Sequence, residues 1–330
     1  PSDYFGDDFE LDETMKKKLR SERKWSQEKF DKVYNDFAKM FASQKCFSKH
    51  TRTDLNIYFC DRVIFAGKQT GSSTNDYFDF EFYNKSFALR DEFMTIKHRR
   101  QNRTLCNDRY AIVLANNKVE SNKLFADYLH RDWLDTSTCT FDEFKSFVEK
   151  YPRFFSKPIG GYEGKGTEII SFSPNKNLDE LFVKLKSQKR LVEEIVLQHA
   201  DLAAFCPDTV NTIRVNTFLD VHNVVHILTT VGRFGRLGNV VDNYHGGGYS
   251  VIIDPRTGII ISDGINTVHE RVEKHKDTGK AFKGFQYPCW EKMCTTVKKM
   301  ARMIPQLHYV GWDIAFVVLD EDCAISDAAT

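Results

Sequence analysis

The residues best placed to do chemistry in this chain fall within 154–170, FFSKPIGGYEGKGTEII. An apolar run leads to Lys157-Pro158, a loop follows with Gly160, Gly161, Gly164 and Gly166, and a strand-like run covers residues 167–172. Glycines let main-chain N–H groups approach an anion closely, and Lys157 and Lys165 add positive charge, so the pattern predicts a flexible flap over a polyphosphate. The spacing is not GxxxxGK[ST], and a β-branched run follows the loop where a dinucleotide fingerprint would open a helix. An ordinary glycine-rich surface hairpin would use the same residues.

Four more segments could carry chemistry: the pair Glu193-Glu194 in an apolar run, NTIR at 211–214, DNYHGGG at 242–248 and GWDIAF at 311–316. Charged residues inside strands are costly to bury unless paired, which makes each a pointer to function, while an edge strand, a surface ion pair or a turn would explain any one alone. In the third segment Gly246, Gly247 and Gly248 allow close backbone approach, and Asp242 and His245 can bind or deprotonate an amine. A glycine turn capped by Asp242 is the alternative. The basic run at 97–103 reads as a solvated face or as a contact for an acidic ligand.

The elements that must position these residues follow from pattern. Residues 11–50 place Trp25, Phe30, Val33, Phe37 and Phe41 at helical intervals, which predicts one or two amphipathic helices with aromatic cores. Strands are expected at 110–115, 190–198, 210–219, 224–233, 249–253, 258–262 and 309–319, with a tight turn in DPRTG at 254–258. Helices are expected at 122–130, 142–151, 177–187 and 290–303. The 330 residues suit two or three compact units. The division expected is a helical and mixed region at 1–105, a flap-bearing subdomain at 106–190 and a further subdomain at 191–330. A net charge of +1 argues against general nucleic-acid binding, and no apolar run is long enough for a membrane span. The start, PSDYFGDDFE, is acidic and unlike a signal peptide, and eight cysteines without a CxxC pair fit free thiols in a cytoplasmic protein.

The order of the motifs resembles the ATP-grasp superfamily, closest to its sugar-transfer-associated, hexapeptide-transferase-like bacterial branch. The resemblance rests on KPxxGxxGxG at 157–166, VEExxxQH at 192–199, VNTIRV at 210–215, VDNxxxGG at 241–247 and GWDIAF, and covers about 105–330. It implies an α+β ATP-grasp fold in which two subdomains clasp ATP. Lys123 and Lys157 would contact phosphates, and the flap with Gly160, Gly161, Gly164 and Gly166 would close over them. Glu193, Glu194, Val196 and Gln198 would form the hinge at adenine and ribose, with Asn211 nearby. Arg214 would neutralise the γ phosphate, and Asp313 would ligate Mg2+. The superfamily completes its metal site with Glu-x-Asn on the last strand. Here Asp327 stands where the glutamate is expected and Ala329 where the asparagine is.

The resemblance implies an ATP- and magnesium-dependent ligase joining a carboxylate to an amine through an acyl phosphate. Its substrates would be small molecules or glycan-linked, with Asp242 and His245 at the acceptor. A phosphotransferase acting on an alcohol or sugar would use the same clamp. A nucleotide-binding module without turnover would suit the altered final strand.

Overall fold

The computed structural model describes residues 9–44, 47, 49, 52–160, 166–173, 175–238, 247–319 and 322–327. The chain divides into two compact units, Pro1–Leu105 with Val268–Glu270, and Cys106–Thr267 with Arg271–Thr330. Among the described residues no helix is long and apolar enough to cross a membrane.

The first unit is helical. Asp12 and Ser26 cap α1 (Glu13–Arg23) and α2 (Gln27–Ser43) by accepting from the N–H groups of Met15 and Lys29. Next come α3 (Arg52–Cys60), a π-helical segment at Asp61–Thr70, and then α4 (Thr74–Asp79), α5 (Phe87–Arg90) and α6 (Ile96–Cys106). The helical spacing of Phe30, Phe37 and Phe41 places them together in a core with Phe59, Tyr77, Phe78 and Phe82. Phe41 stacks on Phe47 with ring centroids 4.4 Å apart. Each such buried ring stabilises the fold by about 1.5–3 kcal/mol relative to exposure.

The second unit carries two antiparallel sheets. The smaller is ordered β1-β4-β2-β3, from β1 (Trp133–Asp135), β2 (Arg153–Pro158), β3 (Glu168–Ser171) and β4 (Arg190–Glu194). The larger is ordered β11-β10-β5-β6-β7-β8-β9, from β5 (Thr212–Leu219), β6 (Val225–Phe234), β7 (Tyr249–Ile253), β8 (Gly264–Ile265), β9 (Arg271–Val272), β10 (Tyr309–Leu319) and β11 (Asp322–Asp327). The helices are α7 (Arg109–Asn116), α8 (Lys118–Leu124), α9 (Ala126–Leu129), α10 (Phe141–Lys150), α11 (Leu178–Ser187), α12 (Ala200–Ala203) and α13 (Trp290–Met303). Phe144 and Phe147 of α10 and Phe182 and Leu185 of α11 bury against Phe154 and Val192 of the small sheet. Met293, Val297 and Met300 of α13 bury with Ile213, Val215 and Phe234 of the large one.

Several expectations change. Residues 110–115 are helical, because Asp108 caps α7 by accepting from the N–H groups of Tyr110 and Ala111. Tyr110 and Val113 then face solvent, so the apolar run is not a buried strand. The single helix expected at 122–130 is the pair α8 and α9, with Asn117 capping the first. The strand expected at 190–198 ends at Glu194. Because that strand pairs with β1 and β2, a division at 190/191 would cut the small sheet, and the sheets part after it.

Candidate functional site

Strand alternation decides which side chains meet on the small sheet. Phe154 and Val192 face α10 and α11, which leaves Lys157 and Glu193 on the other face. The register sets Glu193 opposite Phe155 and Lys157 opposite Leu191, so the two are diagonal neighbours, with Lys157 Nζ 2.9 Å from Glu193 Oε2. Asn122 of α8 donates Nδ2 to Glu193 Oε1 at 3.3 Å, and Arg131 Nη2 lies 3.4 Å from the same oxygen. Lys118, buried at the start of α8, donates Nζ to the Pro158 carbonyl at 3.3 Å.

Burial works to raise the Glu193 pKa, but the charges of Arg131 and Lys157, with hydrogen bonds from Lys157 and Asn122, outweigh it and hold the carboxyl at about 2. Burial and the like charge of Lys157 pull the Lys118 ammonium below the usual lysine range, against the opposing pull of Glu193. Lys118, Lys157 and Arg131 thus lie near one carboxylate, and positive charge gathered in this way suits a polyanion.

Arg190 fixes the ends of the glycine loop. Its Nε donates to Ser156 Oγ at 2.8 Å, and Nη2 donates to the carbonyls of Ser156 and Gly166 at 2.7 Å each and to Glu168 Oε1 at 3.2 Å. Gly166 has φ of 76°, the left-handed region that favours glycine. Gly160 has open space where a side chain would begin. Gly161, Gly164 and Lys165 lie outside the described residues, as do Asp242, His245 and Gly246.

On the large sheet Arg214 and Asp313 are direct cross-strand partners. Arg214 donates Nη2 to Asp313 Oδ2 at 2.9 Å, and Arg233 of β6 places Nη1 3.1 Å from Oδ1. Gly311 leaves the room required, since a Cβ there would stand 2.8 Å from Arg214 Nη1. Arg214 Nε and Arg233 Nη1 both lie against Asp313 Oδ1 as ion pairs. Arg131 ties the two sheets together, because its Nη1 donates to Ser326 Oγ of β11 at 3.1 Å while Nη2 reaches Glu193.

Asp313 and Asp327, the expected metal ligands, lie on the paired strands β10 and β11. The register pairs Asp327 with Ile314 and Ser326 with Ala315. Alternation puts Asp313 and Ala315 on one face of β10, so Ser326 is the β11 position that shares the face of Asp313. The Ser326 hydroxyl donates to the Leu129 carbonyl and accepts from Arg131. Among the described residues no group of three or more His, Cys, Asp or Glu could hold a metal ion. Magnesium binds through carboxylates, water and substrate phosphates. Two guanidiniums around the Asp313 carboxylate leave positive charge for an incoming anion.

Other expected contacts serve the scaffold. Gln198 is saturated: Nε2 donates to the carbonyls of Cys206 and Thr209, and Oε1 accepts from the Asn211 N–H and Nδ2. Asn211 Nδ2 also donates to the carbonyls of Leu202 and Cys206, and its Oδ1 accepts from the Gly235 N–H. The Gln198 amide therefore has no capacity left for ribose or adenine. Glu194 accepts from the Asp132 N–H at 3.0 Å, and Val196 packs against Ala315, Val317 and Ala324. Lys123 is exposed and pairs with Glu120 at 2.9 Å, so α8 delivers Lys118 rather than Lys123 to the cluster. Cys60, Cys106, Cys139, Cys206 and Cys294 are free, but Cys289 is disulfide-bonded, against the expectation of free thiols.

Sequence reasoning missed Lys118, Asn122, Arg131 and Arg233. Asn117 carried a signal for Lys118, since a cap there starts a helix that turns residues 118 and 122 to one side. Arg233 could be found only through the β5–β6 register.

The model of the sugar-transfer associated ATP-grasp family matches residues 90–324, and the chain belongs to that family. Among solved structures it is similar to N5-carboxyaminoimidazole synthetase from Staphylococcus aureus complexed with ADP, at 13% identity and TM-score 0.39 over 69% of this chain and 49% of that one. It is also similar to the ATP-grasp ligase PsnB complexed with a phosphomimetic variant of its minimal precursor, Mg and ADP, at 14% identity and TM-score 0.38 over 67% and 52%. D-alanyl-alanine synthetase A from Vibrio cholerae is similar at 12% identity and TM-score 0.37 over 67% and 58%. The chain spans about half the length of these structures. No curated protein is a significant match.

Proposed function

We propose that the second unit binds ATP and forms a carbon–nitrogen bond between a carboxylate and an amine. The observation that carries this reading is the pair of positive clusters, Lys118, Lys157 and Arg131 around Glu193, and Arg214 and Arg233 around Asp313, with Arg131 also reaching Ser326 on the edge strand of the large sheet. Lys157 and Lys118 hold the phosphate chain, and the loop containing Gly160, Gly161, Gly164 and Gly166 covers it. Arg214 and Arg233 meet the terminal phosphate, where positive charge lowers the cost of phosphoryl transfer. The substrate carboxylate attacks the γ phosphorus and ADP leaves. The amine then attacks the acyl carbon, phosphate leaves with its oxygen, and Asp242 or His245 accepts the amine proton. Magnesium enters this proposal as the counterion that accompanies ATP. The substrates are small or glycan-linked and the reaction is cytoplasmic.

Ser326 favours a second reading, nucleotide binding without turnover, because this position on the face of Asp313 is a hydroxyl already engaged by Leu129 and Arg131. Incubation of the full chain with ATP, magnesium and pooled amino acids, amines and sugar acids separates the outcomes. ADP, phosphate and a new amide support the ligase, ADP with a phosphorylated product makes it a kinase, and bound ATP without ADP makes it a binding module.

A further inference from the structure

The outer face of the large sheet is charged at one end and apolar at the other. Antiparallel register sets Asp313 beside Arg214, Arg214 beside Val231 and Val231 beside Ile252, and directly paired residues share a face. Past the bridge between Ile253 and Ile260, the Ile261 N–H donates to the Ile252 carbonyl at 2.9 Å, which extends the row by one segment. A single row thus runs from the Asp313 and Arg214 pair over Val231 to Ile252 and Ile261. Arg233 stands two residues from Val231 on β6 and so on the same face, with Nη1 3.1 Å from Asp313 Oδ1.

The apolar end is open to solvent. Ile252 is 56% exposed and Ile261 52%, whereas their neighbours Val251, Ile253 and Ile260 point the other way and are buried in the core. An antiparallel strand with one solvated face alternates apolar and polar residues, but VII at 251–253 and III at 259–261 are unbroken apolar runs, the pattern of strands covered on both faces. An occupant of the outer face must match both ends of the row. Arg214 and Arg233, 31% and 22% exposed, attract an anion. The isoleucines suit an apolar body attached to that anion, since β7 lies two strand spacings, about 10 Å, from β5.

We propose that the carboxylate substrate carries an apolar substituent, an alkyl chain or a hydrocarbon ring, which rests on Val231, Ile252 and Ile261 while the acid group meets Arg233 and Arg214. The assignment rests on the ATP-dependent ligase reading and adds to it the class of acid. An acid without such a substituent would leave the two isoleucines in water. The continuity of the apolar row with the arginines is what favours a small amphiphilic acid over a second copy of this chain.

Calorimetric titration of the full chain with methylphosphonate and hexylphosphonate tests the proposal, since a phosphonate offers the arginines the anionic head of an acyl phosphate in a form that cannot react. A methylene fully removed from water gains about fourfold in affinity, and one covered on a single side about twofold. Hexylphosphonate is therefore expected to bind the wild type at least about tenfold tighter than methylphosphonate. Ile252→Thr and Ile261→Thr keep β-branched side chains at exposed positions and are expected to melt as the wild type does, while the preference falls to about threefold or less. Arg233→Gln is expected to weaken both phosphonates by the same factor. Equal affinity for the two in the wild type, or a preference unchanged in both isoleucine variants, would overturn the proposal. So would a wild type that sediments as a dimer and becomes a monomer as Ile252→Thr, because a second copy would then cover the face. Titrating ATP separately keeps the two readings apart. ATP binding without a chain-length preference sinks the substrate assignment and leaves the ligase reading standing, whereas a chain-length preference without ATP binding removes the reaction and the assignment with it.

Discussion

Glu193 and Asp313 are both buried carboxylates among cations, one on each sheet of the second unit, and they differ in what they have left to give. Both oxygens of Glu193 accept hydrogen bonds, Oε1 from Asn122 and Arg131 and Oε2 from Lys157. Asp313 bonds through Oδ2, while Oδ1 and the facing Arg214 Nε keep contacts that are ionic only. The first arrangement engages both carboxylate oxygens and fixes the positions of Lys157 and Arg131. In the second, Arg214 and Arg233 are 31% and 22% exposed and can turn to an incoming phosphate.

The largest effect expected from this difference is on stability. Glu193→Gln removes the buried carboxylate that Lys157 and Arg131 share and should cost about 3–5 kcal/mol in urea unfolding. Asp313→Asn leaves arginines that can reach solvent and should cost on the order of 1 kcal/mol. Equal losses would erase the distinction between the clusters.

Acid unfolding sharpens the same contrast. The folded Glu193 pKa is depressed to about 2, so its stabilisation is present above the ordinary value near 4.5 and is lost as pH falls from there toward 2. Melting temperatures of Glu193→Gln should therefore fall less steeply than wild type across that window. Parallel curves would show that the carboxylate is not held this way. The smallest effect belongs to the tie between the sheets: Ser326→Ala removes the hydroxyl that joins Leu129 and Arg131 and should cost about 1 kcal/mol.

Strong periodicity made much of this fold legible in advance. The last helix and last long strand fall at 290–303 and 309–319, as expected from their apolar spacing, and the aromatic residues of α2 form a core. The run at 110–115 misled because its apolar content masks the cap at Asp108, which starts a helix. Polar residues inside motifs were harder to sort. Gln198 and Asn211 look like ligand contacts in sequence, but they spend their hydrogen bonds on carbonyls and on each other. Cross-strand register cannot be read from one strand at a time, which hid Arg233.

The central claim is that the two clusters together hold a triphosphate, and titrating ATP and adenosine separately into wild type, Lys157→Met and Arg214→Gln tests it most directly. Each variant should lose at least tenfold in ATP affinity, about 1.4 kcal/mol, while adenosine affinity stays within twofold of wild type. Equal losses for ATP and adenosine, or full ATP affinity in both variants, would contradict it.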